Sequence, residues 1–415
     1  MESNIDEKDL SNLPFRNEKL DIEERIQDLL NRLTLNEKMK LIAGRHRWFT
    51  KPIERLGIKP FFMTDGPHGV APHSSNEKEC TYFPIGICRA ATWNRDLSYN
   101  FGKAIAEEVR DIGAHMILGP GVNIIRTPLC GRNFEYQTED PYLNKELAVE
   151  VIKGVQSQKI AACIKHYLCN NQERNRYTYS AEVSEKALEE IYLPVFKAAV
   201  KEADVWSVMG SYNKINGVYG CAHEKLIKET LMNEWGFRGF VVSDWNATHL
   251  IENLEDCIKA RLSLEMPRTK LYKRSYLKEA YAEGKFSEQD LNELVQRLLR
   301  VMFLVGMFDP PEMLPKGSRN TPEHKEISRK IAEEGIVLLK NKHNLLPLDF
   351  RKIKSLAIKG PNADKNMAEG GGSSAVKPPY EITPLKGIQE KCEGKVKITN
   401  DVQNADVVIL VLGLD

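Results

Sequence analysis

The sequence predicts an α/β protein: a (β/α)8-type TIM barrel followed by an incomplete α/β sandwich domain. Three observations carry this. Short apolar, strand-like runs alternate about six times with helical stretches before residue 308, and that alternation implies a parallel sheet with covering helices. The runs end on polar groups, which a parallel barrel gathers at the C-terminal ends of its strands. Composition then shifts at Asp309-Pro310-Pro311, and a second series of strand-like runs begins. An open doubly wound sheet would place its ligand at one switch point, and no glycine fingerprint for a dinucleotide is present.

Residues 1–20 read as a polar lead-in and 21–308 as the barrel. Asp21–Leu41 has apolar residues at helical spacing. Pro60–Thr64 is a strand ending at Asp65-Gly66-Pro67-His68-Gly69. The Ser98–Ile112 helix leads to the strand His115–Leu118, and a polar loop containing Arg132 precedes the Tyr142–Ser157 helix. Ile160–Ile164 is a strand ending in Lys165-His166, followed by a loop, Asn170–Tyr179, crowded with Asn, Gln, Glu and Arg. Helices at Ser184–Lys201 and Glu224–Trp235 flank the strand Val205–Met209, which runs into Gly210-Ser211-Tyr212-Asn213. Phe240-Val241-Val242-Ser243 then enters Asp244-Trp245, before a helix at Thr248–Lys259, a strand at Leu262–Pro267 and a helix at Phe286–Val305.

Residues 309–322 are a linker by composition, and 323–415 are the N-terminal part of the sandwich domain. That part starts with the Pro322–Glu334 helix and has strands at Gly335–Leu339, Ser355–Ile358, Val396–Ile398 and Asp406–Leu412. It is expected to be cut short, because the last strand lacks its covering helix.

The 415 residues, 42% hydrophobic and 28% charged, fill one large domain and part of another. A net charge of +1 gives no reason to expect nucleic acid or an anionic membrane as partner. No apolar run is long enough to span a bilayer, and Met1–Asp21 lacks a signal pattern. Eight Cys without paired spacing read as free thiols, so a cytoplasmic location is expected. The nine His have no metal-ligand spacing, and neither metal nor cofactor is expected.

Each polar strand end has a plain reading and a chemical one. Asp244, taken alone, is more often a helix cap than a nucleophile. Lys165 is a helix-end charge, a sugar-oxygen ligand or a Schiff-base former. Arg132 braces a loop or clamps hydroxyls. Asp65 makes an Asx turn or accepts two sugar hydroxyls. Trp245 is core, or it stacks on a sugar face. The concentration of such groups at successive strand ends favours chemistry.

The motifs Thr64-Asp65-Gly66-Pro67-His68-Gly69-Val70, Gly131-Arg132-Asn133-Phe134-Glu135-Tyr136, Lys165-His166-Tyr167, Asn170-Asn171-Gln172-Glu173, Met209-Gly210-Ser211-Tyr212-Asn213 and Val242-Ser243-Asp244-Trp245 resemble those of glycoside hydrolase family 3, in its β-glucosidase branch. The match runs from about residue 20 to Asp415. The resemblance implies a retaining hydrolase of β-D-glucosides, acting through a covalent glycosyl-Asp intermediate on Asp244. It implies that Asp65, Arg132, Lys165, His166, Arg176, Met209, Tyr212 and Trp245 line the sugar subsite, and that Ser373 leans in from the second domain. Lys165, Arg132 and His166 are expected to keep Asp244 ionised. An oligosaccharide or an aryl or alkyl β-glucoside is the expected partner.

Three positions depart from the family pattern. Ala71 stands where relatives carry Arg, Arg261 and Ser263 stand where Gly and Asp are usual, and Arg261 is expected to crowd the last barrel turn. No residue matches the family's acid/base Glu, which lies in an ExEGxDR-like segment after a strand resembling Asp406–Leu412. Impaired hydrolysis is therefore expected. The alternative is a non-catalytic sugar-binding or split protein whose acid/base half comes from a complementing second polypeptide. A homo-oligomer also fits.

Overall fold

The computed structural model describes residues 10, 12–75, 77–368 and 370–413. Residues 1–9 and 11 of the polar lead-in, and Leu414 and Asp415 beyond the last expected strand, lie outside the described residues. The main sheet is preceded by a hairpin, β1 (Gly44–His46) and β2 (Phe49–Thr50). Its six strands are β3 (Met63–Thr64), β4 (Met116–Ile117), β5 (Ala161–Tyr167), β6 (Ser207–Gly210), β7 (Phe240–Ser243) and β8 (Leu262–Leu264). They lie side by side in chain order, every neighbouring pair parallel.

The expected eight-fold repeat is not what closes this sheet. Six parallel strands are present among the described residues, and the hairpin spans from β8 to β3. On one side Gly44 N donates to Glu265 O at 2.9 Å and Glu265 N to Ile42 O at 3.1 Å; on the other, Thr50 N donates to Phe61 O at 3.1 Å. β2 runs antiparallel to both neighbours. The reason is chain length: a parallel crossover needs about a dozen or more residues, usually a helix, whereas a hairpin turns in two. Arg47 and Trp48 make that turn.

Strands β3 to β8 are buried along their whole length, which is why they read as unbroken apolar runs. Helices cover them. The Arg95–Asp111 and Pro141–Ser157 helices meet backbone to backbone, since a Cβ on Gly102 would lie 2.3 Å from Val151 O and one on Gly154 2.2 Å from Tyr99 O. The single helix expected over Asp21–Leu41 is two, Ile22–Arg32 and Leu35–Leu41. Thr34 and Glu37 form a capping box that starts the second. Of the Thr248–Lys259 helix only Leu254–Ala260 is helical.

The 309–322 segment is tied to the barrel rather than hanging free. Asp309 pairs with Arg25 at 2.8 Å, and Asn320 N donates to Glu108. The Pro322–Gly335 helix also packs on the barrel, burying Ile331 in its core. Beyond it, β9 (Ser355–Lys359), β10 (Lys397–Thr399) and β11 (Val407–Leu410) form a parallel sheet with β9 in the middle, joined by the Pro384–Cys392 helix. The strand expected at Gly335–Leu339 does not form: Leu338 and Leu339 are exposed, and no strand pairs with them among the described residues. No described helix is long and apolar enough to cross a membrane.

Candidate active site

Asp244 follows the last residue of β7 and is placed by the ladder, its N donating to Gly210 O at 3.0 Å. Its carboxylate is buried. Oδ1 is fully engaged: Tyr212 Oη donates to it at 2.9 Å and Trp245 N at 2.6 Å. Oδ2 has no hydrogen-bond donor among the described residues. Burial pushes the Asp244 carboxyl above its ordinary value, and Arg132, Lys165 and the Tyr212 hydroxyl oppose that shift.

His166 Nε2 lies 3.3 Å from Asp244 Oδ2, yet the two do not form an ion pair. Arg132 Nη2 points an N–H at the same His nitrogen, so Nε2 is the lone-pair side. The ring proton then sits on Nδ1, facing Tyr136 Oη at 3.1 Å and Asn123 Oδ1 at 3.3 Å. Burial, with Arg132 and Lys165 nearby, drives His166 well below its ordinary value, and the ring is neutral. The expectation that His166 helps to ionise Asp244 is corrected: two cations, not three, act on the carboxylate. Asn123 fixes this residue's backbone, accepting from His166 N and donating to His166 O, both at 2.9 Å.

Behind the cations stands Glu135, fully buried. Its Oε1 takes the Arg132 Nε–H, and its Oε2 lies 3.0 Å from Lys165 Nζ. Burial alone would raise the Glu135 carboxyl, but Arg132 and Lys165 outweigh it and hold it below the ordinary range. Lys165 is also 3.4 Å from Asp65 Oδ1. Burial would lower the Lys165 ammonium, whereas Glu135 and Asp65 raise it. A Schiff base needs a neutral amine, so this arrangement argues against the Schiff-base reading of Lys165.

Arg176 reaches the cluster through Tyr212, its guanidinium 4.2 Å from the ring centroid, while Nη1 donates to Glu173 Oε2 at 2.6 Å. Met209 is buried in β6 beside Val242, two residues before Asp244. The Trp245 indole N–H donates to Arg47 O at 2.8 Å. Ser373 is half-buried in a short turn of helix, and no hydrogen bond ties it to the barrel among the described residues. The neighbouring residue makes that link instead, as His68 Nε2 and Ser374 O are 3.1 Å apart. Arg261 does not crowd the barrel turn. It adopts a left-handed conformation, φ 74°, and extends to Asp290 at 3.1 Å and Glu293 at 2.6 Å on the Glu288–Leu304 helix. Ala71 and Ser263 are buried.

Residues 34–301 match the glycosyl hydrolase family 3 N-terminal domain, and residues 336–415 match that family's C-terminal domain. The chain belongs to glycosyl hydrolase family 3. It is 41% identical over 397 residues to a β-glucosidase of Bacteroides ovatus, covering 89% of this chain and 52% of that one. It is 42% identical over 361 residues to a thermostable β-glucosidase of Acetivibrio thermocellus, covering 85% and 47%. Among solved structures, β-glucosidase 3B from Thermotoga neapolitana in complex with α-D-glucose superposes with a TM-score of 0.83 at 38% identity, covering 91% of this chain and 55% of that one. The chain spans about half the length of the curated relatives it matches.

In this family 3 chain, the sequence reading missed residues that stand behind Asp244, Arg132 and Lys165. Glu135, Tyr136 and Glu173 lie inside the quoted motifs, but their work as braces depends on side-chain geometry that spacing does not show. Trp48 lay in an unassigned stretch. It packs against Trp245 with centroids 5.5 Å apart and the rings tilted by 40°, and the available signal was an aromatic beside several basic residues.

Proposed function

We propose that this chain carries the nucleophile side of a retaining β-glucosidase. The observation that supports it best is the asymmetry of the Asp244 carboxylate, with Oδ1 held by two donors and Oδ2 without one. In this reading Oδ2 attacks the anomeric carbon of a β-D-glucoside and forms a glycosyl-Asp intermediate, which water then hydrolyses with retention. Asp65, Lys165, His166 and Arg132 hold the ring hydroxyls so that this carbon faces Asp244. Neutral His166 adds no charge to the subsite, and its Nε2 lone pair is taken by the Arg132 N–H. Arg176, Met209, Tyr212 and Trp245 wall the subsite, and Ser373 approaches from the second unit.

Retention also requires a carboxylic acid about 5–5.5 Å from the nucleophile, held neutral so that it protonates the leaving group. The carboxyls clustered behind Asp244 are instead bound to cations: Asp65 and Glu135 to Lys165, Glu173 to Arg176. That supports an acid/base supplied from outside residues 1–415, by further family 3 C-terminal sequence or by a second polypeptide, which would also complete the α/β sandwich. Without it, hydrolysis of unactivated glucosides falls about 10²–10⁴-fold, and less for good leaving groups. A cytoplasmic site of action is proposed on the eight free thiols.

The test is covalent trapping. A 2-deoxy-2-fluoro-β-glucoside with a dinitrophenolate leaving group is expected to add one glycosyl mass, on the peptide containing Asp244. Asp244→Asn is expected to take none. Absence of the adduct on the parent chain would sink the proposal.

A further inference from the structure

A one-way chain of hydrogen bonds runs behind the nucleophile. Arg132 Nη2 meets His166 Nε2, His166 Nδ1 lies 3.1 Å from Tyr136 Oη, and Tyr136 Oη is 3.0 Å from the Asn170 carbonyl. Its direction is fixed at both ends, because a guanidinium only donates and a carbonyl only accepts. The protons therefore point from Arg132 towards Asn170: Arg132 gives one to Nε2, Nδ1–H gives one to Tyr136, and Tyr136 gives its own to the carbonyl. Asn123 agrees with that direction. Its amide nitrogen donates to His166 O, so its Oδ1 is the atom that faces Nδ1, at 3.3 Å. Tyr136 and His166 are both fully buried, and solvent offers neither another partner.

The direction of the chain decides what Asp244 meets. Oδ2, the oxygen without a donor among the described residues, lies 3.3 Å from His166 Nε2. A neutral imidazole carries one N–H, on either ring nitrogen. With the proton on Nδ1, Nε2 has nothing to give to Oδ2. With the proton on Nε2, the ring would donate to Oδ2 and collide with the Arg132 N–H. A donor on Oδ2 stabilises the ionised carboxylate before it reacts. Attack would have to break that bond, so it adds to the barrier.

We propose that Tyr136 is a positioning residue for the nucleophile: by accepting the Nδ1 proton it holds His166 in the tautomer that leaves Asp244 Oδ2 free of donors. Arg132 and Tyr136 belong to one loop and take the two ring nitrogens between them. Glu135, next to Tyr136 in that loop, accepts the Arg132 Nε–H and so aims the guanidinium. One short stretch of chain thus sets the donor at Nε2 and the acceptor at Nδ1. The inference rests on the β-glucosidase reading and adds to it the group that governs protons around the attacking oxygen.

The test uses the full chain, isotopically labelled on its histidine ring nitrogens, whose two-bond correlation spectra separate protonated from bare nitrogens. His166 is identified by the signals that His166→Asn removes. The parent is expected to show a protonated Nδ1 and a bare Nε2, and a protonated Nε2 overturns the proposal. Tyr136→Phe keeps the ring and removes the acceptor. Nδ1–H is then left with Asn123 Oδ1, which already takes His166 N at 2.9 Å. In this variant the Nε2–H form is expected to appear, and trapping of the fluoroglucoside to slow about five-fold, the scale of one hydrogen bond. The acid limb of trapping should move to lower pH, since a donor on Oδ2 favours the ionised carboxyl. Arg132, Lys165 and Tyr212, the other groups acting on that carboxyl, are the same in both proteins. Slower trapping with the tautomer and the limb unmoved is a packing defect and overturns the proposal. So does a changed tautomer with trapping at the parent's rate, or no change in either. Absence of the adduct on the parent overturns the glucosidase reading instead, and the role of Tyr136 with it, whatever the spectra show.

Discussion

The two oxygens of Asp244 have different partners, and the consequence can be tested by substitution. Tyr212 donates to Oδ1, so Tyr212→Phe removes a bond to a charged acceptor and is expected to slow trapping of the fluoroglucoside roughly ten-fold. Trapping needs the carboxylate ionised. Because burial holds the Asp244 carboxyl above its ordinary value, trapping is lost as pH falls through a point above that of an ordinary aspartate. Without the Tyr212 hydroxyl that acid limb moves to still higher pH. Glu135→Gln moves it the other way. Removing the anion between Arg132 and Lys165 leaves their charge to favour ionised Asp244, so the limb shifts to lower pH. The same change removes the buried anion that Arg132 and Lys165 share, leaving them only the longer contacts to Glu173 and Asp65, and is expected to cost about 3 kcal/mol in thermal unfolding. Opposite shifts in trapping-versus-pH curves would separate these electrostatic roles from general damage to the site. The sequence displayed Asp244, Arg132, Lys165 and Tyr212 because strand ends and motif spacing announce them. It did not display that His166 is neutral, because that follows from its complete burial beside Arg132, a fact of packing.

At the scale of elements, apolar runs located β3 to β8, since a strand buried on both faces has no polar alternation to confuse it. The hairpin closing the sheet escaped notice because β2 is two residues long and carries no periodicity. Gly335–Leu339 was misread for the converse reason: an apolar run becomes a strand only where an edge accepts it, and none does among the described residues. The Pro322–Gly335 helix shows how an element is docked by titratable groups. Buried His324 bridges Glu108 at 3.0 Å and Glu107 at 2.9 Å, both on the Arg95–Asp111 helix. Burial lowers its pKa, but those two carboxylates outweigh it and raise it above the ordinary value. Stability from a raised histidine is fully present below the unfolded value of about 6.5 and is lost as pH rises through the folded one. His324→Gln is therefore expected to destabilise the chain by about 1–3 kcal/mol near pH 6 and by less near pH 9. Melting curves of parent and variant at both pH values check this, and an equal loss at each would refute it.

Across the whole molecule the two units are unequally built. One continuous core runs from Phe15 to Ile331 and encloses the strands that position Asp244. The β9–β11 sheet rests on a much smaller cluster, Leu356, Ile358, Ala363, Cys392 and Val396, while Val408 and Leu410 on the edge strand β11 face outward and Leu339 is 91% exposed. A core that small rarely supplies more than about 3–5 kcal/mol, against about 5–15 kcal/mol for an ordinary domain. What ties the unit to the barrel is short: Cys80 N donates to Lys377 O at 2.9 Å, and Val376 presses on Gly69, where a Cβ would come within 2.7 Å. Local opening follows local burial, so amides of β9, β10 and β11 are expected to exchange with deuterium well before those of β5 and β7. Leu356→Ala, which empties the centre of the small cluster, should cost about 2–5 kcal/mol and abolish protection in β9–β11 while leaving β5 and β7 slow. Leu410→Lys, on the exposed face, should change neither. Matching exchange rates in the two sheets, or a joint loss of protection in Leu356→Ala, would mean that the units open as one.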